Sequence, residues 1–252
     1  MTVEVLALDG IGFGFGAAPV LEGVSATVAR GQFVAVVGPS GVGKSTLLRI
    51  VAGLVPPSAG QVRLAAVPEA GARATALVFQ DARLLPWRSV RQNVGLGLEG
   101  LGLGAAERRR RVEEALALVG LTPHAGKWPH QLSGGQRQRA GIARALAVRP
   151  GLLLVDEPFG ALDAVTRAAL QDELLRLWQQ TGATILFVTH DLNEAAYLAD
   201  RVLVLGGSPA RIVRDIALDQ PRPRPRDGAA AEADVHRLRL ALEETFDSGS
   251  GI

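Results

Sequence analysis

Cysteine is absent from the 252 residues, which excludes disulfides and thiolate metal sites. Lysine is nearly absent too: of 27 basic residues only Lys44 and Lys127 are lysine. Against that arginine bias, a lysine inside a glycine loop carries extra weight. No stretch approaches the roughly 18 uninterrupted apolar residues that a spanning helix needs. The opening MTVEVLALDG lacks a basic segment followed by an apolar one, so no signal peptide is expected. Net charge is only +2, which gives no argument for nucleic acid as a partner. Aromatic residues are scarce, with a single tyrosine, Tyr197.

What is plentiful is apolar: 48% of residues are hydrophobic, enough for a substantial core. Strands are expected at Val3–Leu8, Val24–Val28, Phe33–Val37, Gln61–Leu64, Ala74–Phe79, Leu152–Val155, Thr184–Val188 and Val202–Leu205. Phe33–Val37 and Leu152–Val155 are continuous apolar runs, suited to strands buried on both faces. Helices are expected at Lys44–Ala52, about 105–119, about 135–148, Ala164–Gln180, Leu192–Ala199 and about 233–246. Strands alternating with helices imply an α/β fold with a mainly parallel sheet. Residues 84–149 show no clear strand and read as a helical insert. ERRRR (107–111) reads as a solvated helix face. PRPRPR (221–226) reads as a semi-rigid extended linker, and DSGSGI as a disordered end.

Gly38–Ser45 (GPSGVGKS) fits G-x-x-x-x-G-K-[ST], between a buried strand and a helix, the context this phosphate-binding loop requires. Glycines at 38, 41 and 43 let the backbone wrap closely around an anion; Pro39, Ser40 and Val42 fill the loop, and the helix start adds its positive end. Lys44 is expected to reach the β- and γ-phosphates and Ser45 to ligate Mg²⁺, with Thr46 a further donor. Leu152–Glu157 (LLLVDE) is an apolar strand ending in carboxylates at the edge where ligands gather. Asp156 is expected to help hold Mg²⁺ and Glu157 to activate the attacking water. A pair of solvated acids is the plainer alternative. His190 ends a similar strand and could orient that water.

Leu132–Gln136 (LSGGQ) gives a helix start with a hydroxyl and exposed N–H groups. On its own it is a second anion site or merely a capped helix. Set between the phosphate loop and the DE strand, it makes the chain resemble the nucleotide-binding subunits of ABC transporters, from about Val3 to Asp215. The resemblance implies a P-loop NTPase core with an antiparallel β subdomain and an inserted α-helical subdomain, residues 1–220 forming the ATPase domain and 221–252 a linker and helix. It implies ATP hydrolysis with Mg²⁺, catalysed by Glu157, His190 and Lys44. Phe15 aligns with the ring that stacks on adenine, where tyrosine is usual; FGFG could instead be a plain hairpin. Gln80 is implied as a γ-phosphate and metal sensor, and Asp163 as part of the loop that crosses a homodimer. Ser133, Gly134, Gly135 and Gln136 would touch the ATP held by the other subunit.

QDARLLPWRSVRQNV (80–94), EPFGALD (157–163) and THDLNEAAYLADRV (189–202) resemble importer subunits of the aliphatic sulfonate, taurine and nitrate branch. That implies integral membrane permease subunits as partners, an extracytoplasmic solute-binding protein acting indirectly, and a peripheral position on the cytoplasmic face of the inner membrane. Leu84–Trp87 is either core or the contact with a permease helix. An exporter subunit and a soluble non-transport ABC ATPase are the competing readings; no sustained heptads in 84–149 support the latter.

Overall fold

The computed structural model describes residues 3–16, 18–66 and 71–247. In chain order the elements are β1 (Glu4–Phe15), β2 (Ala18–Ala29), β3 (Phe33–Val37), α1 (Lys44–Val51), β4 (Ala59–Leu64), β5 (Thr75–Val78), α2 (Val90–Leu96), α3 (Ala105–Leu118), α4 (Gly134–Ala147), β6 (Leu152–Asp156), α5 (Ala164–Thr181), β7 (Ile185–Val188), α6 (Leu192–Leu198), β8 (Arg201–Gly207), β9 (Ala210–Ala217) and α7 (Ala229–Asp247). The fold is mixed α/β, as expected. The chain forms two units, one of Met1–Ala65 with Thr184–Ile252, the other of Ala66–Ala183.

In the first unit the strand order is β4-β1-β2-β9-β8-β3-β7. β3 runs parallel to both β7 and β8, while β1–β2, β1–β4 and β8–β9 are antiparallel. All five residues of β3 are buried, as a strand covered on both faces requires. Phe33 and Phe187 meet edge-to-face at 6.0 Å within this core. β1 and β2 are longer than the sequence suggested: FGFG continues β1, with Phe13 opposite Leu21 and Phe15 opposite Ala18. β9 was not expected. It offers only Ala210 to the core, so its residues carry little hydrophobic periodicity.

The expected linker at 221–226 is a correction. Arg222 pairs with Asp200, Arg224 is buried, and the Arg226 guanidinium lies 4.0 Å from the Tyr197 ring centroid. Alternating proline and arginine suggest a solvated rod only if the arginines lack partners, and here they have them. α7 begins earlier than the expected helix, and Leu238 and Ala241 are buried with the first unit's core. This segment therefore packs with the first unit rather than standing apart. Asp247, the first residue of the expected DSGSGI end, instead closes α7, and residues 248–252 lie outside the described residues.

In the second unit β5 and β6 are parallel, and α3 and α4 occur close to their expected bounds. This unit extends past the expected 84–149 insert to include β5, β6 and α5. α2 was not anticipated, although Ser89 and Gln92 form a reciprocal capping box at its start. The arginine run is only partly a solvated face. Arg110 reaches Glu107 and Glu114, but Arg111 is buried and also donates to the Gly71 carbonyl at 2.8 Å. Bonds from Arg110 and Arg111 hold the Glu107 carboxyl down at about 2. Trp87 is 68% exposed and is not core. Among the described residues no helix is long and apolar enough to cross a membrane.

Candidate active site

The phosphate loop lies wholly in the first unit. β3 delivers the chain to buried Gly38, where an added Cβ would stand 2.4 Å from the Leu205 carbonyl oxygen. Gly41 and Gly43 take φ of 78° and 112°, a region that side chains rarely enter. Gly43 is the N-cap of α1, with no side chain occupying the helix start. The start of α1 thus presents N–H groups with no cap from Gly43, and the helix dipole there favours an anion. Lys44 is buried, its Nζ donating to the carbonyls of Gly38 at 2.8 Å and Pro39 at 2.9 Å. That places the ammonium inside the loop. Ser45 and Thr46 are partly exposed on the first turn of α1.

Phe15, also in this unit, is 67% exposed. Its ring meets Phe13 edge-on at 5.1 Å, leaving a ring on the surface of the hairpin end. The hairpin alternative and the exposed ring therefore hold together. His190 is exposed at the end of β7, between two constrained neighbours. The Thr189 hydroxyl donates to the buried Glu194 carboxylate at 2.5 Å, and Asp191 caps α6 by accepting from the Asn193 N–H at 2.8 Å.

Asp156, Glu157, Gln80, the 133–136 segment and Asp163 lie in the second unit. Asp156 ends β6, and Glu157 follows at φ 42°, a left-handed position uncommon for a non-glycine residue. Such local strain gathers at functional sites. Gln80 comes close to the same turn: a Cβ on Gly160 would lie 3.2 Å from Gln80 Nε2. Ser133 and Gln136 form a capping box at the start of α4, with Gln136 N–H donating to Ser133 Oγ at 3.2 Å and Ser133 N–H to Gln136 Oε1 at 3.0 Å. Because Ser133 Oγ accepts in this cap, its own proton stays free to be donated. Gly135 faces the start of α5, where an added Cβ would lie 2.8 Å from Thr166 Cγ2. Asp163 caps α5 by accepting from the Thr166 N–H at 3.0 Å and hydroxyl at 2.7 Å, bonds that lower its pKa. The structure thus brings Gln80 to the turn after Glu157, and the glycines of 134–135 to the Asp163 cap.

The model for the family described as ABC transporter matches residues 21–160. The chain belongs to the ABC transporter family. It is 55% identical over 205 residues to the aliphatic sulfonates import ATP-binding protein SsuB of Escherichia coli K12, covering 81% of this chain and 77% of that protein. SsuB of Pseudomonas entomophila is 51% identical over 235 residues, covering 92% and 84%. Among solved structures, cbiO1 of Clostridium perfringens, part of the transporter complex cbiONQ, aligns with a TM-score of 0.77 at 28% identity over 96% and 97% of the two chains. The ATP-binding cassette MJ0796, a dimer bound to ADP and Pi, aligns at 0.71 with 31% identity over 86% and 100%. The chain is an ABC-type ATPase.

Two positions in this ABC ATPase escaped sequence reasoning. Buried Asn93 holds the 85–89 turn by accepting from the Leu85 N–H at 2.7 Å and donating to the carbonyls of Leu85, Arg88 and Ser89. The Ser89-x-x-Gln92 spacing was its available signal. His124 Nε2 lies 3.2 Å from Gln136 Nε2, beside the 133–136 segment, and no sequence pattern marked it.

Proposed function

We propose that the chain is the ATP-hydrolysing subunit of an importer for small organic anions, foremost aliphatic sulfonates, with taurine or nitrate next. The observation carrying this reading is the 55% identity to SsuB over 81% of the chain. A homodimer is proposed, bound at the cytoplasmic face to integral permease subunits, with a solute-binding protein acting indirectly.

The loop from Gly38 to Thr46 would cradle the phosphates of ATP, with Lys44 lowering the charge on the β- and γ-groups and Phe15 stacking on adenine. The chemistry of the donor set fits Mg²⁺. Ser45, Gln80 and Asp156 offer a hydroxyl, an amide oxygen and one carboxylate, hard ligands that leave room for phosphate and water. Bound there, Mg²⁺ would neutralise phosphate charge. Glu157 takes the proton of the attacking water, and His190 holds that water in line. The Ser133 hydroxyl and the N–H groups of Gly134 and Gly135 would donate to the γ-phosphate of the partner's ATP. Gln136 squares the cap behind them, and Asp163 belongs to the crossing loop. ATP binding would then close the dimer and hydrolysis reopen it. Exposed Trp87, close in sequence to Gln80, is proposed to pass this motion to the permease.

Glu157→Gln should accumulate as an ATP-dependent dimer in gel filtration, and a strictly monomeric variant would refute the mechanism. The solute is tested by growth of a sulfonate-uptake mutant carrying this chain and its permease. Growth on an alkanesulfonate as sole sulfur source is expected, and growth restored only on taurine or nitrate reassigns the cargo.

A further inference from the structure

We propose that Arg224 is a positioning residue for His190, acting through both ends of α6; the inference rests on the proposed role of His190 at the γ-phosphate.

Arg224 is 5% exposed and spends its guanidinium on backbone carbonyls. Nη1 donates to Ala196 O at 2.8 Å and Ala199 O at 2.6 Å, Nη2 to Leu218 O at 2.9 Å, and Nε to Gln220 O at 3.1 Å. Ala196 and Ala199 are at the C-terminal end of α6, whose last carbonyls have no helical partner. A cation there also meets the negative end of the helix dipole. Burial pushes the Arg224 pKa down, while Asp234, Asp200 and Asp219 oppose that shift. A planar fork suits this task; a lysine would bring one point charge and a different geometry.

Neighbouring contacts hold the fork in place. Arg222 pairs with Asp200, whose other oxygen accepts the Phe33 N–H at 2.8 Å at the start of β3. Arg226 stacks on Tyr197, within α6 itself. Gln220 donates to the Ala230 carbonyl at 2.9 Å, tying the segment to α7.

α6 spans only seven residues, Leu192–Leu198, so moving one end moves the other. Its first turn carries Glu194, bonded to Thr189, and its cap is Asp191, whose N–H donates to Thr189 Oγ1 at 3.0 Å. His190 stands between those two residues. If α6 tilted after losing its C-terminal clamp, Glu194 would pull Thr189, and the imidazole would shift with it. A displacement near 1 Å at a group that orients a reactant costs on the order of a hundredfold in rate.

The test measures kcat and KM for ATP in the full chain for Arg224→Met, Arg224→Lys, His190→Ala and the Arg224→Met/His190→Ala pair, at a temperature where circular dichroism shows each folded. Arg224→Met should lower kcat about ten- to a hundredfold with KM for ATP unchanged, and add no further loss in the His190→Ala background. Arg224→Lys should recover stability more than kcat. If His190→Ala is impaired but the two changes multiply, Arg224 is merely structural and the inference falls while the role of His190 stands. If His190→Ala retains full kcat, that role falls, and the inference with it. Should Arg224→Met not fold, Arg224→Lys carries the test: its His190 ring resonances must move from their wild-type positions, and unmoved resonances overturn the proposal.

Discussion

Asn93 offers a sharp test of how the segment around Trp87 is held. Its side chain is fully buried in the second unit, accepts one bond and has two N–H donors shared among three carbonyls. Asn93→Ala deletes about three hydrogen bonds at roughly 1 kcal/mol each, so a loss of about 3 kcal/mol is expected. Asn93→Asp keeps the acceptor for the Leu85 N–H but turns an oxygen toward three carbonyl oxygens. It should therefore be worse than alanine at pH 8, by about 1 kcal/mol or more. Buried and beside acceptors, the introduced carboxyl would have a raised pKa in the folded state. The folded protein then binds the extra proton more tightly, so Asn93→Asp should regain stability as pH falls toward 5. The assay is urea unfolding followed by tryptophan fluorescence, which reads the second unit because all three tryptophans, Trp87, Trp128 and Trp178, lie in it. With a slope of about 1–3 kcal/mol per M, the midpoint for Asn93→Ala should fall by roughly 1–3 M. A midpoint within error of wild type, or an aspartate variant more stable than the alanine variant at pH 8, would refute this account. In the assembled transporter both variants should uncouple ATP hydrolysis from uptake more than they slow hydrolysis.

Two further expectations concern the same unit. Gly135→Ala should cost about 1–3 kcal/mol by crowding Thr166, partly offset by about 1 kcal/mol of helix propensity, and Thr166→Ser, which removes the crowding methyl but keeps the hydroxyl bond to Asp163, should rescue it; additive changes in urea midpoint would refute the contact. The Glu107 carboxyl is depressed from 4.5 to about 2, so its stabilisation is present above pH 4.5 and is lost as pH falls through 2. Glu107→Gln should flatten the acid limb of a circular-dichroism titration across that window, and an unchanged limb counts against the pairing.

The phosphate loop, β3 and β6 were legible because two continuous apolar runs each end at residues of unambiguous chemistry. The DE pair and LSGGQ were legible by spacing. What escaped lacked a strong local pattern of its own. β9 needs β8 beside it, and its own residues are half exposed. Arg222 finds the Asp200 carboxylate, Arg224 the carbonyls of Ala196, Ala199, Leu218 and Gln220, and Arg226 the Tyr197 ring, partners that alternating proline and arginine do not announce. The left-handed turn at Glu157 is likewise absent from composition, since nothing about a glutamate announces a positive φ. α2 was overlooked despite a readable cap, because a seven-residue helix gives too few turns for periodicity to register.

The strand that carries the phosphate loop has a consequence for the order of synthesis. β3 ends at Val37, yet both strands that flank it, β7 and β8, begin at Ile185 and Arg201. From Val37 to Ile185 is 185 − 37 = 148 residues, so at 5–20 residues per second a nascent chain waits roughly 7–30 s for the first neighbour of β3. During that interval the whole of Ala66–Ala183 emerges and can fold. The nucleotide cradle would thus be a late product of translation, and a chain released early would carry GPSGVGKS without the sheet that shapes it.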